Sequence, residues 1–431
     1  MTRFKTMDNF FYKLRLTFTD PMLRGRIFFV IGALVVFRIA AAIPIPGVNL
    51  TALQQFFANN QFLGLLNVFS GSGLSNLSIV MLGVGPYITG SIIMQLLTMM
   101  SPQLKALYHE EGEAGRKKFT QYSRLLTVPL AMLQGFGLLT ILSRQGVLGT
   151  LTPFQMFSNI IIITAGSLFL MWIGELISEF GIGNGVSVII FSGIVARIPT
   201  ATSQALISYD QSQIPLYLAF LAAAMAIVAG VIVMTEAERP IPITYAKRVR
   251  GGKMYGGVST YLPLRVNQAG VIPIIFALSI LLFPQIIANV LSAFTAHPTL
   301  QHIGELLKTW FVSGSWLYAI TYFLLVFLFT FFYTAVTFDP DAIATNLQKS
   351  GAFIPGVRPG TATAEHIAKI LTRTTFAGAL FLAAVAVLPL SMQAITGNQT
   401  LAIGGTALLI VVSVILDLVK KLDAQLSMRE Y

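Results

Sequence analysis

One uncharged stretch of this chain is long enough to cross a lipid bilayer but is interrupted in its middle: LSNLSIVMLGVGPYITGSIIMQLLTMM, residues 74–100. About 20 apolar residues are typical of a transmembrane helix. Gly83-Val84-Gly85-Pro86 breaks the pattern, because glycine and proline disfavour a continuous helix. The apolar piece before it, 62–73, is too short to cross. The two together predict a re-entrant segment and a broken helix, which membranes tolerate only where protein or a water-filled cavity shelters the backbone.

Apolar stretches recur along the whole chain and predict a polytopic, all-α membrane protein. The first span ends at Pro44-Ile45-Pro46-Gly47, after which residues 44–104 contain no charged side chain. The ten predicted spans are 27–43, 74–100, 125–142, 154–176, 182–200, 214–235, 269–294, 310–336, 374–391 and 401–419. Ten spans divide into two sets of five, and because five is odd, a duplicated unit would have inverted topology.

The basic residues fall almost entirely in one alternating set of gaps between these spans. Of the 28 Lys and Arg residues, 24 lie there; Arg144, Arg197 and Lys308 lie towards the other set, and Arg38 lies inside a span. Basic loops remain on the cytoplasmic side of a membrane. The bias therefore predicts an inner-membrane protein with both termini in the cytoplasm.

The composition agrees with a membrane location. Of the 431 residues, 55% are hydrophobic and 10% are charged, whereas soluble domains have roughly 25% charged residues. The net charge of +11 follows from the basic loops and does not by itself indicate nucleic-acid binding, although a ribosome would be an acidic partner at the membrane surface. The chain has no cysteine, which excludes disulfides and thiolate metal sites.

The spans and loops define the predicted domain organisation. Residues 1–26 form a basic, amphipathic cytoplasmic segment; 27–208 form the N-terminal half with spans 1–5. Residues 209–419 form the C-terminal half with spans 6–10, followed by a cytoplasmic tail, 420–431. Two cytoplasmic loops, 236–268 and 337–373, are too long to be simple turns, and loops of this length are usually functional or disordered.

The sequence lacks the motifs of an enzyme. Gly251-Gly252-Lys253 does not have the spacing of a phosphate-binding loop, and the four histidines are not spaced as metal ligands. A secondary solute carrier with inverted repeats is the main alternative. Such a carrier needs ionisable groups at mid-membrane, and Arg38 is the only candidate well inside a predicted span, since Glu175, Glu179 and Asp417 lie near cytoplasmic ends. Topology alone leaves a channel and a carrier open.

Several separate stretches resemble the SecY/Sec61-alpha family, the large subunits of protein-conducting channels. The resemblance covers nearly the whole chain, including the number of spans and the loop lengths. The stretches that carry it are Ile43-Pro44-Ile45-Pro46-Gly47, Leu82-Gly83-Val84-Gly85-Pro86-Tyr87-Ile88, Ser91-Ile92-Ile93-Met94-Gln95-Leu96-Leu97, Glu111-Gly112-Glu113-Ala114-Gly115-Arg116-Lys117, Gly181-Ile182-Gly183-Asn184-Gly185, Tyr245-Ala246-Lys247-Arg248, Leu262-Pro263-Leu264-Arg265-Val266-Asn267 and Gly351-Ala352-Phe353-Ile354-Pro355-Gly356-Val357-Arg358-Pro359-Gly360. One departure is Glu238-Arg239-Pro240-Ile241-Pro242, where the family commonly has a more basic run; its prolines remove two backbone donors and put the shape of this loop in question.

The resemblance implies two inverted five-helix halves around a central hourglass pore. It places six residues at the constriction: Val84, Ile88, Val186, Ile190, Ile275 and Ile410. All six are β-branched and lack a hydrogen-bonding side chain, which suits a hydrophobic seal. It also implies a plug at 62–73, which includes Phe62, Leu65, Leu66, Val68, Phe69, Gly71 and Gly73. From the sequence alone, an external amphipathic helix explains 62–73 equally well.

The resemblance also implies an exit to lipid and a set of partners. A lateral gate between the second and seventh spans would release signal sequences and membrane segments into the lipid, with Gln95, Asn267 and Phe283 as candidate residues. The partners implied are the SecE and SecG subunits, the SecA motor ATPase, the ribosome and the translocating polypeptide; no cofactor is implied. Four basic loop residues are candidates for docking SecA or the ribosome, although they would also serve simply to orient the chain in the membrane: Lys247, Arg248, Arg250 and Arg358.

Overall fold

The computed structural model describes residues 19–47, 73–74, 76–109, 111–144, 146–149, 151–196, 198–199, 203, 214–245, 248–250, 253–255, 259–291, 298–311, 315–396 and 399–427. Helices dominate these ranges. They are α1 (Pro21–Ala42), α2 (Gly85–Met100), α3 (Pro102–His109), α4 (Gly112–Arg144), α5 (Pro153–Phe180), α6 (Gly185–Val195), α7 (Ile214–Glu236), α8 (Ile272–Leu291), α9 (Pro298–Trp310), α10 (Trp316–Thr337), α11 (Pro340–Lys349), α12 (Thr361–Thr396) and α13 (Gln399–Ser427). The strands are β1 (Glu238–Tyr245), β2 (Arg248–Arg250), β3 (Lys253–Tyr255), β4 (Ser259–Arg265) and β5 (Ala352–Phe353).

Each of the ten predicted spans contains a helix. In the described part of the chain, α1, α4, α5, α10 and α12 are long and apolar enough to cross a membrane on length and composition alone. Shorter apolar helical stretches occupy Gly185–Val195, Leu221–Glu236 and Ile272–Leu281. The all-α membrane class is confirmed.

Local capping sets several helix starts. Asp20 accepts a hydrogen bond from the Met22 N–H at 2.9 Å, and proline follows it at the first position of α1. Thr152 and Gln155 form a reciprocal capping box at the start of α5. Asn184 accepts a hydrogen bond from the Ser187 N–H at the start of α6, and Asp339 accepts hydrogen bonds from the Asp341 and Ala342 N–H groups at the start of α11. These polar residues satisfy the backbone donors that the first turn of a helix leaves free.

Several helix bounds differ from the predicted spans. Helices α4 and α12 begin at Gly112 and Thr361 rather than at 125 and 374, because their first turns are polar and hydropathy detects only the apolar part. Helix α6 is shorter than its predicted span, since it begins only after the cap at Asn184. Helix α1 begins at Pro21, so the last residues of the predicted 1–26 segment belong to it.

Residues 76–84 form consecutive turns rather than the first half of a helix. The prediction that the second span begins at residue 74 is wrong in this respect; α2 starts only at Gly85. Hydrogen bonds to the end of α1 hold these turns: the Ile45 N–H donates to the Leu77 carbonyl at 2.8 Å, and the Ile79 N–H donates to the Ile43 carbonyl at 2.9 Å. Buried backbone N–H and C=O groups that are not part of a helix need hydrogen-bond partners of this kind.

The described chain divides into two compact units. Residues up to 219, with 282–313 and those from 410 onward, belong to the first; 220–281 and 314–409 belong to the second. In the first unit, α4 packs against α2 and α5, and α1 packs against α5 and α6. The turns at 76–84 lie in its core, where Leu77, Met81 and Leu82 contact apolar residues of α4 and α5. The predicted division after 208 stays a prediction.

The second unit combines membrane helices with a small sheet built from both long loops. Helix α10 packs against α12, and α11 packs against α12 and β5. The sheet has the antiparallel order β4-β1-β5, so that the loops at 236–268 and 337–373 are joined. Ile241 and Leu264 of the sheet form one buried cluster with Ile354 and Ile367.

The prolines of β1 are compatible with this sheet because of their register. Pro240 lies directly opposite Pro263 on β4, and Pro242 lies opposite Tyr261. In an antiparallel pair of strands, every second pair of facing residues makes no hydrogen bonds across the ladder. Pro240 and Pro263 form such a pair, and so do Pro242 and Tyr261. The missing N–H of proline therefore removes no hydrogen bond between β1 and β4. The prolines at this departure from the family pattern therefore lie on the exposed face of β1, and the pairing of β1 with β4 is intact.

Candidate functional site

The first two constriction candidates lie at the start of α2. Val84 is the residue before the first helical turn and Ile88 lies one turn later; their exposed fractions are 0% and 7%. Thr89 donates its hydroxyl to the Gly85 carbonyl at 3.0 Å, so this turn satisfies its polar group internally. The start of α2 thus presents a dry, apolar pair of β-branched side chains.

The next two candidates lie at the start of α6. The turn at Gly181-Ile182-Gly183-Asn184 leads into the helix, and Gly183 has a φ of +89°, which favours glycine. The Gly185 N–H donates to the Ser178 hydroxyl at 2.8 Å, tying this turn to α5. Ile190 is fully buried and Val186 is partly buried. The stretch from Gly181 to Asn184 is therefore a tight turn between two helices.

Helix α5 holds both of these helix starts through small residues. At Gly166, an added Cβ would overlap the Ile79 carbonyl, and the neighbouring Ser167 hydroxyl donates to the Gly83 carbonyl at 2.9 Å. Two turns later, an added Cβ at Gly174 would lie 3.3 Å from Val186 Cγ2, and one at Gly185 would overlap the Gly174 carbonyl. Small residues allow close helix contacts in membranes. One helix therefore positions the segments that carry Val84, Ile88, Val186 and Ile190.

The last two constriction candidates are also buried, in separate units. Ile275 lies in α8 in the second unit, with 5% exposure, and its carbonyl accepts a hydrogen bond from the Ser279 hydroxyl at 2.9 Å. Ile410 lies in α13 in the first unit, with 1% exposure. The prediction that all six residues surround one opening stays a prediction.

The predicted lateral-gate residues include two amides, the buried Asn267 and the partly buried Gln95, and each makes only some of its possible hydrogen bonds. Gln95 donates to the Ser91 hydroxyl at 3.3 Å, and Asn267 donates to the Gly270 carbonyl at 3.2 Å. The side-chain oxygen of each is buried without a hydrogen-bond donor. A buried, unsatisfied carbonyl is costly. Phe283 lies in α8, and its side chain is outside the described part of the structure.

The predicted plug lies outside the described residues except for Gly73. That glycine is buried, and its carbonyl accepts a hydrogen bond from the Ser78 N–H at 2.9 Å. It therefore joins the predicted plug to the turns that precede α2. The described residues do not decide between a plug and an external amphipathic helix.

Of the docking candidates, Arg358 is the one whose surroundings are described. Lys247 lies outside the described residues, and Arg248 and Arg250 are described only as backbone positions of β2, paired with β3. Arg358 is exposed, and its carbonyl accepts a hydrogen bond from the Thr363 hydroxyl at 2.8 Å. Its neighbour Val357 packs on the cluster beneath the sheet. The turn is anchored on both sides, so the guanidinium is presented to solvent from a fixed backbone.

Two of the acidic residues near the ends of the spans form ion pairs. Glu175 pairs with Arg124 at 2.7 Å, and Asp417 pairs with Lys421 at 2.8 Å. Among the described residues, no charged side chain is buried, and no cluster of metal-ligating side chains is found. This pattern gives no support to a coupled carrier in the described part of the chain.

Sequence reasoning missed two structural devices near the constriction candidates. The first is the set of small residues on α5. The sequence does contain a sign of it, because Gly166, Ser167 and Gly174 lie within an otherwise apolar predicted span. The second is Arg38 of α1, whose Nη2 donates to the Ser192 carbonyl at 3.1 Å in the last turn of α6. The position of Arg38 inside a span was visible, but its partner is 154 residues away and was not.

The fold and the apolar, uncharged candidate site define a polytopic membrane protein with buried β-branched residues at two helix starts. The sequence pattern of the SecY family matches residues 78–419. The protein translocase subunits SecY of Mycobacterium bovis and Thermotoga maritima are 41% and 42% identical to this chain; the alignments cover 95% and 96% of it, and 96% and 95% of the relatives. A solved protein-conducting channel shares the fold with a TM-score of 0.64 at 19% identity, over 92% of this chain and 91% of its own. The chain belongs to the SecY family and is a multi-pass protein of the cell membrane.

Proposed function

We propose that this protein is the central channel subunit of a protein translocase. It conducts unfolded secretory proteins across the cell membrane and releases membrane segments laterally into the lipid. It binds no nucleotide and carries out no chemical reaction; the energy for transport comes from a partner. Membership of the SecY family, with relatives matched along nearly the whole chain, carries this proposal.

The candidate constriction supports this function on physical grounds. Val84, Ile88 and Ile190 are buried, stiff and apolar, and α5 fixes the helices that carry them. A narrow ring of such side chains excludes water and ions by dewetting. The same side chains offer no specific hydrogen bond, so they separate around many different polypeptides without retaining any one of them.

The partners and the orientation are part of the proposal. The basic, folded cytoplasmic loops suit an acidic partner surface, and we assign them to SecA or a translating ribosome, with SecE and SecG as the small subunits of the channel. The charge bias of the loops supports cytoplasmic termini. Reagents that reach only the cytoplasmic side should modify a cysteine at the exposed position Ser350 and not one at Thr309.

Crosslinking from single cysteines tests the channel proposal, because the chain has no native cysteine. The variants Ile88→Cys, Ile190→Cys, Ile275→Cys and Ile410→Cys are assembled with SecE and SecG. A secretory precursor carrying a thiol-reactive probe is then stalled in transit with SecA and ATP. Leu133→Cys and Leu328→Cys serve as controls, since these apolar residues are 59% and 60% exposed on spanning helices.

We expect all four constriction positions to crosslink and both controls to remain unlabelled. If the precursor crosses but none of the four positions is labelled, the constriction lies elsewhere and the site assignment fails. If the precursor does not cross with every partner supplied, the channel function itself is contradicted.

A further inference from the structure

Helix α9, Pro298–Trp310, has an apolar stripe that the protein leaves exposed. Ile303, Leu306 and Trp310 follow helical spacing and have exposed fractions of 47%, 38% and 52%. Glu305 lies on the opposite side of the helix from Ile303 and Trp310, whereas His302 and Thr309 lie at the border between this polar side and Leu306. Gly304 is buried, so the protein covers one edge of the stripe and not the rest. Helix α9 is therefore amphipathic with an uncovered apolar face.

The chain keeps α9 close to the membrane surface at both ends. Only residues 292–297 separate it from the end of α8, and only 311–315 separate it from the start of α10. Five or six residues span at most about 20 Å when fully extended. Since α8 and α10 both lie in predicted spans, α9 cannot move far from the bilayer.

Two tryptophans mark the depth of this segment. Trp310 ends α9, and Trp316 is the first residue of α10, where its exposed fraction is 73%. Tryptophan is enriched at the membrane–water boundary because its ring is apolar and its N–H is polar. Two exposed indoles, six residues apart, on either side of the entry into a span are typical of that boundary.

The polar side of α9 does not suggest an electrostatic partner. Its sequence contains one acidic and one basic residue, Glu305 and Lys308. A surface that recruits a strongly charged protein or nucleic acid would carry an excess of one sign. The exposed apolar face, on a helix held close to the bilayer, therefore indicates that lipid covers α9 rather than a charged partner.

We propose that α9 lies in the plane of the membrane surface, with Ile303, Leu306 and Trp310 inserted among the lipid headgroups and upper acyl chains. A helix of this kind binds through its buried apolar area and keeps its polar face in water. It anchors the connection between α8 and α10 on the side of the membrane opposite the basic loops. This surface concerns lipid alone and does not depend on the channel function.

Spin labels on single cysteines test the orientation of the helix. Ile303→Cys and Leu306→Cys report on the apolar face, and Glu305→Cys reports on the polar face. Each full-length variant is reconstituted with its partner subunits in phosphatidylcholine–phosphatidylglycerol vesicles. Collision with oxygen, which is concentrated in lipid, and with a water-soluble nickel chelate, present on both sides of the membrane, is then measured. Leu328→Cys provides the reference for a spanning helix.

We expect the two apolar positions to collide more with oxygen than with the chelate, and Glu305 to show the reverse. Strong chelate contact at all three positions would place α9 in water and overturn the proposal. Weak contact with both reagents at Ile303 and Leu306 would place a protein surface there, such as a second copy or a small subunit, and would also overturn it.

Native tryptophan fluorescence tests the same geometry without changing α9. The chain has three tryptophans, so Trp172→Phe with Trp316→Phe leaves Trp310 alone. Lipids brominated near the headgroup should quench its emission at least twofold more strongly than lipids brominated at the chain end. Equal, weak quenching by both lipids would contradict insertion of Trp310 into the boundary region.

Discussion

Gly185 occupies a position where no side chain fits, because an added Cβ would overlap the Gly174 carbonyl. Gly85 begins the neighbouring pore-candidate helix, α2, and an added Cβ there would meet no atom within 4 Å. The two glycines are thus a matched pair at the starts of α2 and α6. They differ in whether α5 approaches their backbone closely.

We predict that Gly185→Ala destabilises the protein by about 1–3 kcal/mol, because the overlap forces α6 away from α5. Gly85→Ala should have little effect or raise stability slightly, since alanine favours a helix over glycine. Thermal unfolding of the purified complex, with precursor transport measured in parallel, compares the two. Equal unfolding temperatures for both variants would show that the close contact at Gly185 is not needed.

Arg38 contributes to the end of α6 rather than to a coupling site. Its guanidinium donates to the Ser192 carbonyl, which belongs to the negative, C-terminal end of the α6 dipole. We predict that Arg38→Gln lowers the free energy of unfolding by about 1.5–3 kcal/mol, the range for a hydrogen bond to a charged group. Thermal unfolding of the purified complex measures the loss.

Two further variants separate charge from geometry at this position. Arg38→Lys should retain part of the stability, because lysine keeps the charge but not the planar donor geometry. Arg24→Gln, at an exposed position on the same helix, should leave stability unchanged. If Arg38→Gln and Arg24→Gln unfold together, the bond to Ser192 is not a significant contribution.

At the residue scale, the sequence predicted which residues are candidates for the site better than it predicted which residues contact each other. The motif around Val84 and the resemblance to a family suggested a pore residue, and the structure places it in a dry position. Gly166 and Gly174 matter because other segments pack closely against them: the Ile79 carbonyl lies close to Gly166, and Val186 lies close to Gly174. A local pattern contains no information about those neighbours, so their role became visible only in the fold.

The sheet formed by β1, β4 and β5 turns two long loops into one folded element. Leu264 is fully buried beneath it, whereas Tyr261 on the same strand is 66% exposed on the outer face. The cluster joins residues from both loops and from α12. The loop at 337–373 therefore depends on the loop at 236–268 for its position.

We predict that Leu264→Ala destabilises this element by about 2–5 kcal/mol, through lost burial and the cavity left behind. Hydrogen exchange should accelerate at backbone amides of β1 and of the first turns of α12, while amides of α5 are unchanged. Tyr261→Ala removes only a cross-strand contact and should cost about 1 kcal/mol or less. Unchanged exchange in Leu264→Ala would mean that the loops fold independently.

Elements were predicted from the sequence where the pattern is local. Continuous apolar runs predicted the spans. The predicted ends of the spans were wrong where a polar cap or a polar first turn sets the start of the helix, as at Asn184 and Gly112. The sheet was not predicted, because its third strand comes from a distant loop. The prolines of β1 also argue against a strand until the register shows that their missing donors face away from β4.

At the scale of the whole molecule, the distribution of charge carried most of the prediction. Alternation of basic and non-basic loops predicted ten spans and an orientation, and each span contains a helix. The same alternation fits both a channel and a carrier, since either needs an oriented bundle. The choice came from the motifs that the sequence shares with the family.

The proposed docking of a partner also depends on more than one segment, because the sheet β4-β1-β5 and the cluster beneath it hold the basic loops in place. Arg358 stands on a turn fixed by Val357 and by the bond from Thr363, whereas Arg373 is exposed on the regular surface of α12. A fixed guanidinium loses less conformational entropy on binding a carboxylate or a phosphate than a mobile one. Arg358 is therefore the stronger candidate for a specific contact.

We predict that Arg358→Glu lowers precursor transport at least tenfold while leaving membrane insertion and the unfolding temperature unchanged. Reversing the charge replaces an attraction to the partner with a repulsion, and a tenfold change corresponds to about 1.4 kcal/mol. Arg373→Glu makes the same change in net charge and should reduce transport no more than twofold. Transport and partner affinity are measured in vesicles of the same lipid composition. Equal losses in both variants would assign the effect to the overall charge of the loops, and normal transport by Arg358→Glu would remove this residue from the docking site.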